Sequence, residues 1–283
     1  MSIEKVGVIG AGTMGHGIAQ VVAMAGMHVV LTDASDEQLA LARSRVEANL
    51  DKGVARGKVT AEVREQTLAR LSTGSLDDAA RGAQLVVEAV PERLELKQSL
   101  FRQVDAVAPA DAILATNTSS LSVAGIASAV RDPGRVLGMH FFNPVHIMKL
   151  LELIRADGTR PEVVDAATAF GERIGKQVIV VRDRPGFATS RLGVCLGMEA
   201  IRMLEQEVAS AEDIDAAMVL GYRHPVGPLK LTDMVGLDVR LAIGEYLARE
   251  LGNPAFEPPQ LMREMVAAGK LGKKSGEGFY RWS

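Results

Sequence analysis

The stretch VGVIGAGTMGHGIAQ, residues 6–20, decides the fold of the first half of the chain. An apolar strand, Val6–Ile9, leads directly into the glycine pattern GAGTMG and then into a helix. In such a βαβ unit the first glycine permits a tight turn, the second lets a pyrophosphate approach the backbone, and the third lets helix and strand pack closely. The helix N-terminus also offers N–H groups to phosphates. The sequence therefore predicts a dinucleotide site formed by Gly10, Gly12, Thr13, Met14 and Gly15.

A carboxylate indicates which dinucleotide binds. Asp33 follows the second predicted strand, His28–Thr32, at about the 20-residue spacing from the glycine motif that is expected of a ribose-binding acid. A carboxylate there accepts hydrogen bonds from the ribose hydroxyls of NAD and repels the 2′-phosphate of NADP. No arginine follows it directly. NAD is therefore favoured over NADP, and also over FAD, which shares the glycine motif.

Strands and helices alternate as far as residue 182. Strands are predicted at Val6–Ile9, His28–Thr32, Leu85–Glu88, Ile113–Thr116, Arg135–Phe141, Lys149–Ile154 and Val178–Val181. Helices are predicted at Met14–Ala25, Glu37–Lys52, Thr60–Leu71, Leu94–Val107, Ser122–Val130 and Pro161–Ile174. Continuous apolar strands alternating with helices predict an α/β, Rossmann-like domain with a mostly parallel sheet. The two helices after the second strand are interpreted as an inserted helical pair.

The strand signals stop after the segment RDRPGF, which Pro and Gly mark as a boundary. Helices are predicted at Phe187–Val208, Glu212–Leu220, Leu237–Leu251 and Pro259–Ala268, with Ser210 and Asp213 as a variant capping box. We therefore expect an NAD-binding domain over residues 1–182. An all-α domain for substrate binding and dimerisation should follow over residues 183–283.

The composition excludes several classes of protein. The 283 residues are 47% hydrophobic, enough for a packed core, and the net charge of -3 does not attract nucleic acid. The apolar run 18–31 is too short and too interrupted to span a membrane, and no targeting pattern is recognised. The single cysteine, Cys195, is interpreted as a packed side chain. We expect a soluble cytoplasmic protein with no metal site.

Polar side chains follow three of the predicted strands. Glu92 comes after the strand that ends at Glu88, and Asn117 and Ser119 come after Thr116. His140 and Asn143 lie in HFFNP, at the end of a further strand. Ligands of open α/β sheets bind at the carboxyl ends of strands, so the nicotinamide end of NAD is expected here.

These motifs carry a resemblance to a known family. GAGTMGHGIAQ, EAVPE, NTSSL, HFFNPV, KLLELI, RPGF and GKKSGEGFY occur in this order. Together they resemble the short-chain L-3-hydroxyacyl-CoA dehydrogenase family, of the 3-hydroxybutyryl-CoA dehydrogenase type. The resemblance covers essentially the whole chain. It implies NAD-dependent interconversion of a short (S)-3-hydroxyacyl-CoA, such as 3-hydroxybutyryl-CoA, and the 3-ketoacyl-CoA, such as acetoacetyl-CoA.

The resemblance also implies roles for individual residues. His140 matches the general base that takes the proton of the 3-hydroxyl, and Glu152 matches the glutamate that orients its imidazole. Ser119 matches a serine that contacts both substrate and nicotinamide. The remaining matches are to positions that contact NAD: Glu92, Lys97 and Asn143. The second histidine of the stretch, His146, has no counterpart in the family pattern and is interpreted as a bystander that does not touch Glu152.

One position departs from the family pattern. The family has an asparagine near the reacting carbonyl, where this chain has Ser190 in PGFATSR. We expect Ser190 to contact the substrate directly or through water. Because serine replaces the family asparagine, the resemblance does not predict the acyl-chain-length preference or the catalytic efficiency. The reaction class that it implies is unchanged.

Coenzyme A carries phosphates and therefore needs local positive charge. The inserted helical pair provides Lys52, Arg56 and Lys58 near Asn49. The resemblance places the CoA contacts closest to Asn49 and Arg56, and we include Lys52 with them. Two interpretations remain for Lys270, Lys273 and Lys274 near the C-terminus: they are solvated, or they contact a phosphate. The expected partners are thus an acyl-CoA substrate and, by resemblance, a second copy bound through the helical domain.

Two alternative functions remain open. One is dehydrogenation of a related hydroxy acid, either 3-hydroxyadipyl-CoA or a free acid of the lambda-crystallin type. A CoA-free substrate would make Lys52 and Arg56 dispensable. The other is a catalytically silent NAD-binding or structural protein, which the presence of both His140 and Glu152 disfavours.

Overall fold

The computed structural model describes residues 2–282, and its first unit, which extends to Asp183, is built on one sheet. Eight strands form this sheet within the described residues. They are β1 (Lys5–Ile9), β2 (His28–Thr32), β3 (Leu71–Thr73), β4 (Leu85–Glu88), β5 (Ile113–Thr116), β6 (Val136–Phe141), β7 (Leu150–Arg155) and β8 (Gln177–Arg182). Their spatial order is β3-β2-β1-β4-β5-β6-β7-β8. All neighbours are parallel except β6 and β7, which are antiparallel.

Seven helices connect these strands in the described part of the unit. They are α1 (Gly15–Met24), α2 (Asp36–Ala55), α3 (Ala61–Arg70), α4 (Leu76–Ala80), α5 (Leu94–Val107), α6 (Val123–Ala127) and α7 (Pro161–Arg173). The strand order reverses between β1 and β4, and a crevice for ligands forms at such a switch point. The glycine motif follows β1 directly, so it lies at this crevice. The predicted fold class is confirmed.

Capping residues explain where several helices begin. Ser35 accepts a hydrogen bond from the backbone of Gln38 at the start of α2, and Thr60 does the same for Val63 at the start of α3. Ser75 and Asp78 form a reciprocal capping box at α4. Each cap satisfies backbone N–H groups that have no partner within the helix.

The region after β2 differs from the prediction. The helix predicted at about Thr60–Leu71 is confirmed as α3, although Leu71 is extended and begins β3. Strand β3 and helix α4 were not predicted. With three residues and one buried side chain, β3 is too short to show a strand period. Helices α2 and α3 therefore connect β2 to β3 in the sheet, and are not an addition outside the strand order.

Both faces of the central strands are buried in the first unit, since every residue of β4 and β5 is buried. Val6, Val8, Leu85 and Ile113 are buried together with the inner face of α1. Strands covered on both faces need apolar residues at consecutive positions, which is why β1, β4 and β5 appear as continuous apolar runs. This packing fixes the carboxyl ends of these strands.

The second unit, from Arg184 onward, is mainly helical. Its helices within the described residues are α8 (Thr189–Glu205), α9 (Ala211–Ala216), α10 (Pro228–Val235), α11 (Leu237–Leu251) and α12 (Gln260–Ala267). The core is centred on Val194, Met198, Leu229 and Leu247, and Cys195 packs against it partly buried. Among the described residues, no helix combines the length and apolar character of a membrane span.

Three details of the second unit correct the prediction. Helix α10 was missed, since eight residues between a Gly–Pro start and Gly236 give little periodicity. The predicted helix Glu212–Leu220 is wrong in its second half, where Ala217–Gly221 forms a π-helical turn. The unit is not wholly helical either, because Glu277 bridges to both Gly272 and Arg281. Ser210 caps α9 through the backbone of Asp213, as predicted.

Candidate active site

The dinucleotide loop has the geometry that its glycines predict. Gly10 has a φ of 98°, and a β-carbon there would lie 2.7 Å from the carbonyl oxygen of Ala89. A β-carbon at Gly15 would lie 1.6 Å from the carbonyl oxygen of Gly10, so the helix packs too closely for any other residue. Gly12 faces open space. In the described residues no side chain caps α1, which leaves its first N–H groups for a phosphate.

Asp33 is held at the end of β2 by backbone donors. Its Oδ2 accepts from the N–H of Ala11 at 2.7 Å, and its Oδ1 accepts from the N–H of Ser35 at 3.0 Å. A cavity of about 1110 Å³ opens beside it. Its lining includes Gly10, Gly12, Thr13, Met14 and Asp33, with Thr73, Gly74, Ser75 and Leu76 from the β3–α4 connection and Ala89, Val90 and Pro91 from the β4 end. This cavity suits the adenosine half of a dinucleotide.

His140 and Glu152 form a buried pair across two strands. They are direct partners in the antiparallel register of β6 and β7. Nδ1 of His140 lies 2.7 Å from Oε2 of Glu152, and the two side chains are 10% and 0% exposed. The ring of Phe142 packs against the imidazole with centroids 4.4 Å apart. The predicted hydrogen bond is therefore present. Because it engages Nδ1, Nε2 is the ring nitrogen that remains to exchange a proton.

A buried charge cluster joins the ends of β4 and β5. The ammonium of Lys97 is 0% exposed and lies 2.7 Å from Oε1 of Glu88 and 3.4 Å from Oε2 of Glu92. Glu88 also accepts from the Thr116 hydroxyl at 2.6 Å and the Val90 N–H at 2.7 Å. Burial raises the pKa of the Glu88 carboxyl, and Lys97 and the hydrogen bonds offset only part of that effect. The predicted contact of Lys97 with NAD remains a prediction; in the structure Lys97 positions the two carboxylates.

Glu92 in turn organises the loop that carries Ser119. Its Oε1 accepts from the Thr118 hydroxyl at 2.6 Å and from the backbone N–H groups of Ser119 and Ser120 at 2.9 and 3.1 Å. Burial raises the pKa of the Glu92 carboxyl, but Lys97 and these hydrogen bonds lower it more, so the net pKa lies below its usual value. Glu92 is thus a fixed anion beside Ser119.

Asn117 ties the neighbouring strand ends to each other. Its side-chain oxygen accepts from the N–H of Phe141 at 2.9 Å, and its own N–H donates to the carbonyl of Glu88 at 2.7 Å. The carboxyl ends of β4, β5 and β6 are therefore held together, and the predicted site residues that follow these strands begin at one edge of the sheet.

Comparison with known proteins identifies this arrangement. Residues 5–184 match the model of the 3-hydroxyacyl-CoA dehydrogenase NAD binding domain, and residues 186–282 match that of the 3-hydroxyacyl-CoA dehydrogenase C-terminal domain. The chain belongs to the 3-hydroxyacyl-CoA dehydrogenase family. It is therefore an NAD-dependent dehydrogenase, and its first unit is the NAD-binding domain.

Individual members of the family are similar to this chain over nearly its full length. The chain is 43% identical to a 3-hydroxybutyryl-CoA dehydrogenase of Mycobacterium tuberculosis, covering 99% of both. It is 43% identical to a 3-hydroxyadipyl-CoA dehydrogenase of Escherichia coli, covering 100% of this chain and 60% of that protein. The crystal structure of (S)-3-hydroxybutyryl-CoA dehydrogenase PaaH1 from Ralstonia eutropha superposes with a TM-score of 0.96 at 42% identity, covering 100% of both chains.

This member of the family has a second cavity, of about 350 Å³, beside the first turn of α1. Thr13 lines both cavities, and Asn143 and Asn49 line the second. The other residues around it are His16, Gly17, Arg45, Pro144, Val145 and His146, so two imidazoles and a guanidinium face it and its lining contains no carboxylate. Such a lining favours an anionic group.

The remaining predicted site residues lie in different parts of the structure. Asn49 reaches the second cavity and donates to Gln20 at 3.1 Å. Lys52 and Arg56 are exposed and line neither of the two cavities, so their contact with CoA remains a prediction. Ser190 stands in the first turn of α8 in the second unit. His146 lines the second cavity, and in the described structure it forms no hydrogen bond with Glu152.

Sequence reasoning missed Lys176 and Glu88. Lys176 is buried, and its ammonium donates to the carbonyl of Val145 and, at 2.7 Å, to that of Met148. It thereby holds the turn that follows Asn143, and burial lowers the pKa of its ammonium. Glu88 ends β4 and pairs with Lys97 of α5 at 2.7 Å, a contact that the local sequence pattern does not indicate because both side chains are buried by neighbouring elements.

Proposed function

We propose that the chain interconverts short (S)-3-hydroxyacyl-CoA thioesters, such as 3-hydroxybutyryl-CoA, and 3-ketoacyl-CoA thioesters, such as acetoacetyl-CoA. The observation that carries the proposal is the buried hydrogen bond between His140 and Glu152 at the same sheet edge as the dinucleotide loop. The relatives that bear the name 3-hydroxybutyryl-CoA dehydrogenase support the acyl-chain length.

His140 acts as the base in oxidation and the acid in reduction. Glu152 accepts a hydrogen bond from Nδ1–H of His140, with 2.7 Å between Nδ1 and Oε2, which fixes the tautomer and leaves proton transfer to Nε2. When Nε2 takes the proton of the 3-hydroxyl, the imidazole becomes cationic beside the carboxylate, which stabilises it. In reduction the same proton returns to the oxygen. Glu152 therefore acts by orientation and by charge.

The residues of the first cavity fit NAD. The open backbone at Gly12 and the uncapped start of α1 suit the pyrophosphate, and Asp33 lines the cavity where a ribose would be recognised. Bound NAD supplies the hydride acceptor of the reaction. Asn143 and Ser119 are proposed to hold its nicotinamide end, with Glu92 fixing the Ser119 loop.

The second cavity is proposed to receive a phosphate-bearing part of coenzyme A. Asn49 is in its lining, and Arg45 adds a guanidinium that makes no ion pair within the described residues. His16 and His146 add two imidazoles to the lining of this cavity. Ser190 is proposed to contact the acyl part of the substrate.

Oxidation of NADH by acetoacetyl-CoA tests the function. We expect the purified chain to turn over this pair and His140→Ala to lose about 10²–10⁴-fold in kcat, which is the usual contribution of a general base or acid. His28→Ala is the matched control, because His28 is an exposed histidine at the start of β2. The proposal is wrong if the wild-type chain turns over no 3-ketoacyl-CoA.

We also propose a homodimer formed through the helical unit, working in the cytoplasm. The dimer is supported by apolar side chains that are exposed on that unit, among them Leu192, Leu220 and Val239. The reducing compartment is supported by the single cysteine of the chain. Light scattering after gel filtration tests the homodimer. Cell fractionation tests the cytoplasmic location.

A further inference from the structure

His16, on the first turn of α1, connects the dinucleotide loop with the second cavity. Its side chain is half-buried, and Nδ1 of the ring lies 2.8 Å from the carbonyl oxygen of Gly12. A carbonyl oxygen only accepts hydrogen bonds, so the proton of this contact is on Nδ1. The ring also lines the second cavity, and Nε2 is therefore the nitrogen that remains for a ligand there.

The carbonyl group of Gly12 points along the axis of α1. It also accepts from the backbone N–H of His16 at 3.4 Å, which is the i to i+4 pattern of an α-helix. Because a trans peptide is planar, the N–H of Thr13 in the same peptide unit points the opposite way, out of the helix N-terminus. That N–H has no acceptor within residues 2–282, so it is available to the pyrophosphate of NAD.

The peptide unit between Gly12 and Thr13 thus lies between the two ligand sites. Thr13 lines both cavities, and a β-carbon at Gly12 would meet open space, so ligands can approach the backbone of the loop. A group that accepts a hydrogen bond becomes a stronger donor, because bonds in a chain polarise one another. A hydrogen bond accepted by Nε2 of His16 therefore strengthens donation from its Nδ1–H, and in turn donation from the N–H of Thr13.

We propose that His16 is a positioning residue that couples the two cavities, so that coenzyme A in the second and NAD(H) in the first strengthen each other's binding. The inference rests on the proposed function, which assigns these ligands to the two cavities. An N–H or O–H group of coenzyme A donates to Nε2 of His16, Nδ1–H donates to Gly12, and the N–H of Thr13 donates to the pyrophosphate. Coenzyme A carries amide and hydroxyl donors beside its phosphates, so His16 and Arg45 engage different groups of the same ligand.

The second histidine of this cavity lacks the connection to the loop. His146 lines the second cavity as His16 does, but within the described residues it forms no hydrogen bond with the loop Gly10–Gly15. A ligand held by His146 therefore has no chain of hydrogen bonds that leads to the pyrophosphate site. His146 provides a matched comparison for His16.

Binding of each ligand with and without the other tests the coupling. We expect saturating coenzyme A to lower the Kd of NADH for the wild-type chain by about three- to fivefold. Saturating NADH should lower the Kd of coenzyme A by the same factor, because coupling between two binding sites is reciprocal. NADH fluorescence gives the first constant and calorimetric titration the second. Equal Kd values of NADH with and without coenzyme A would overturn the proposal.

Two substitutions separate the contacts of the ring. In His16→Asn the amide nitrogen takes the place of Nδ1 and donates to Gly12, but no atom takes the place of Nε2. The ratio of the Kd values of NADH without and with coenzyme A should therefore fall to about 1. His16→Phe keeps a ring without either nitrogen and should give the same ratio, with weaker NADH binding. His146→Gln is the control and should keep the ratio of the wild type.

The outcomes separate the role of His16 from the function on which it rests. A wild-type ratio in both His16→Asn and His16→Phe would show that the ligands influence each other by another route, and would overturn the role of His16 alone. Loss of the coupling in His146→Gln as well would show that it depends on the cavity in general, with the same consequence. Absence of turnover of acetoacetyl-CoA by the wild type, measured separately from the binding constants, overturns the proposed function instead.

Discussion

His140 and Glu152 face each other on neighbouring antiparallel strands, with 2.7 Å between Nδ1 and Oε2. The register of β6 and β7 makes them direct partners, so the distance is set by the sheet rather than by a flexible loop. Both side chains are buried, which strengthens the interaction and excludes competing water. The pairing of the two strands therefore fixes the orientation of the His140 imidazole.

Glu152→Gln should lower kcat by about 10²-fold, within the range for loss of general acid–base assistance, and change KM for acetoacetyl-CoA little. The amide fills the same space, but it pairs with either tautomer of the imidazole and cannot stabilise its cation. Steady-state kinetics with NADH measure both constants. Glu172→Gln, at an exposed position on α7, is the control. An unchanged kcat would show that the hydrogen bond serves folding alone.

Asp33→Asn should raise KM for NADH about tenfold, since a charged hydrogen bond contributes about 1.5–3 kcal/mol, and should leave kcat unchanged. The carboxylate is fixed by Ala11 and Ser35 beside the large cavity, and the amide keeps its shape while losing its charge. The variant should also gain measurable use of NADPH, because a 2′-phosphate is no longer repelled. Asp111→Asn, at an exposed position just before β5, is the control. Equal KM values for the two variants would contradict the assignment.

The sequence was most informative where strands are covered on both faces. The bounds of β2, β4 and β5 agree with the prediction, because a buried parallel strand needs an uninterrupted apolar run. Strand β3 was missed because its three residues pair at the sheet edge through backbone rather than through an apolar pattern. Short elements of this kind depend on tertiary contacts, which no local period records.

The site was predictable for residues that lie in motifs, and less so for residues that support them. The pairing of His140 with Glu152 followed from motifs that cover the whole chain. Glu88 and Lys176 were missed because their burial depends on neighbouring elements.

Lys97→Met should destabilise the NAD-binding domain by about 3–5 kcal/mol at neutral pH, the usual cost of removing one partner of a buried ion pair. Without the ammonium, Glu88 remains as a buried anion and its pKa, already raised by burial, rises further. A carboxyl whose pKa is raised on folding favours the folded state once it is protonated, so the loss should shrink as pH falls from about 8 to about 5.

Thermal unfolding across that pH range measures the effect of Lys97→Met. The double variant Lys97→Met with Glu88→Gln should recover much of the stability at neutral pH and lose most of the pH dependence, because the buried Glu88 charge is removed. Glu92 also loses Lys97, but its side chain is partly exposed and keeps its hydrogen bonds to Thr118 and Ser119. Lys58→Met, at an exposed position, should match the wild type. Equal destabilisation at all pH values in the single variant would mean that the cause is lost packing and not charge.

Arg45→Gln should raise KM for acetoacetyl-CoA about tenfold and leave KM for its N-acetylcysteamine thioester unchanged, because the short thioester has no phosphate to meet the guanidinium. Arg43→Gln is the control, since Arg43 lies on the same helix and pairs with Glu47. If KM for NADH rises instead, the cavity receives a phosphate of the dinucleotide and its assignment to coenzyme A is wrong.

The same cavity should bind coenzyme A more tightly as pH falls. Burial, with the nearby charges of His16 and Lys176, lowers the pKa of His146, so its imidazole is neutral at pH 7 and gains charge only in more acidic solution. A positive charge that appears on protonation attracts the phosphates, so the Kd of CoA should decrease between about pH 7 and about pH 5.5. Calorimetric titration measures this Kd. His146→Gln should remove part of the decrease and leave the Kd at pH 7 nearly unchanged, whereas an identical pH dependence in the two proteins would show that His146 does not face the bound phosphate.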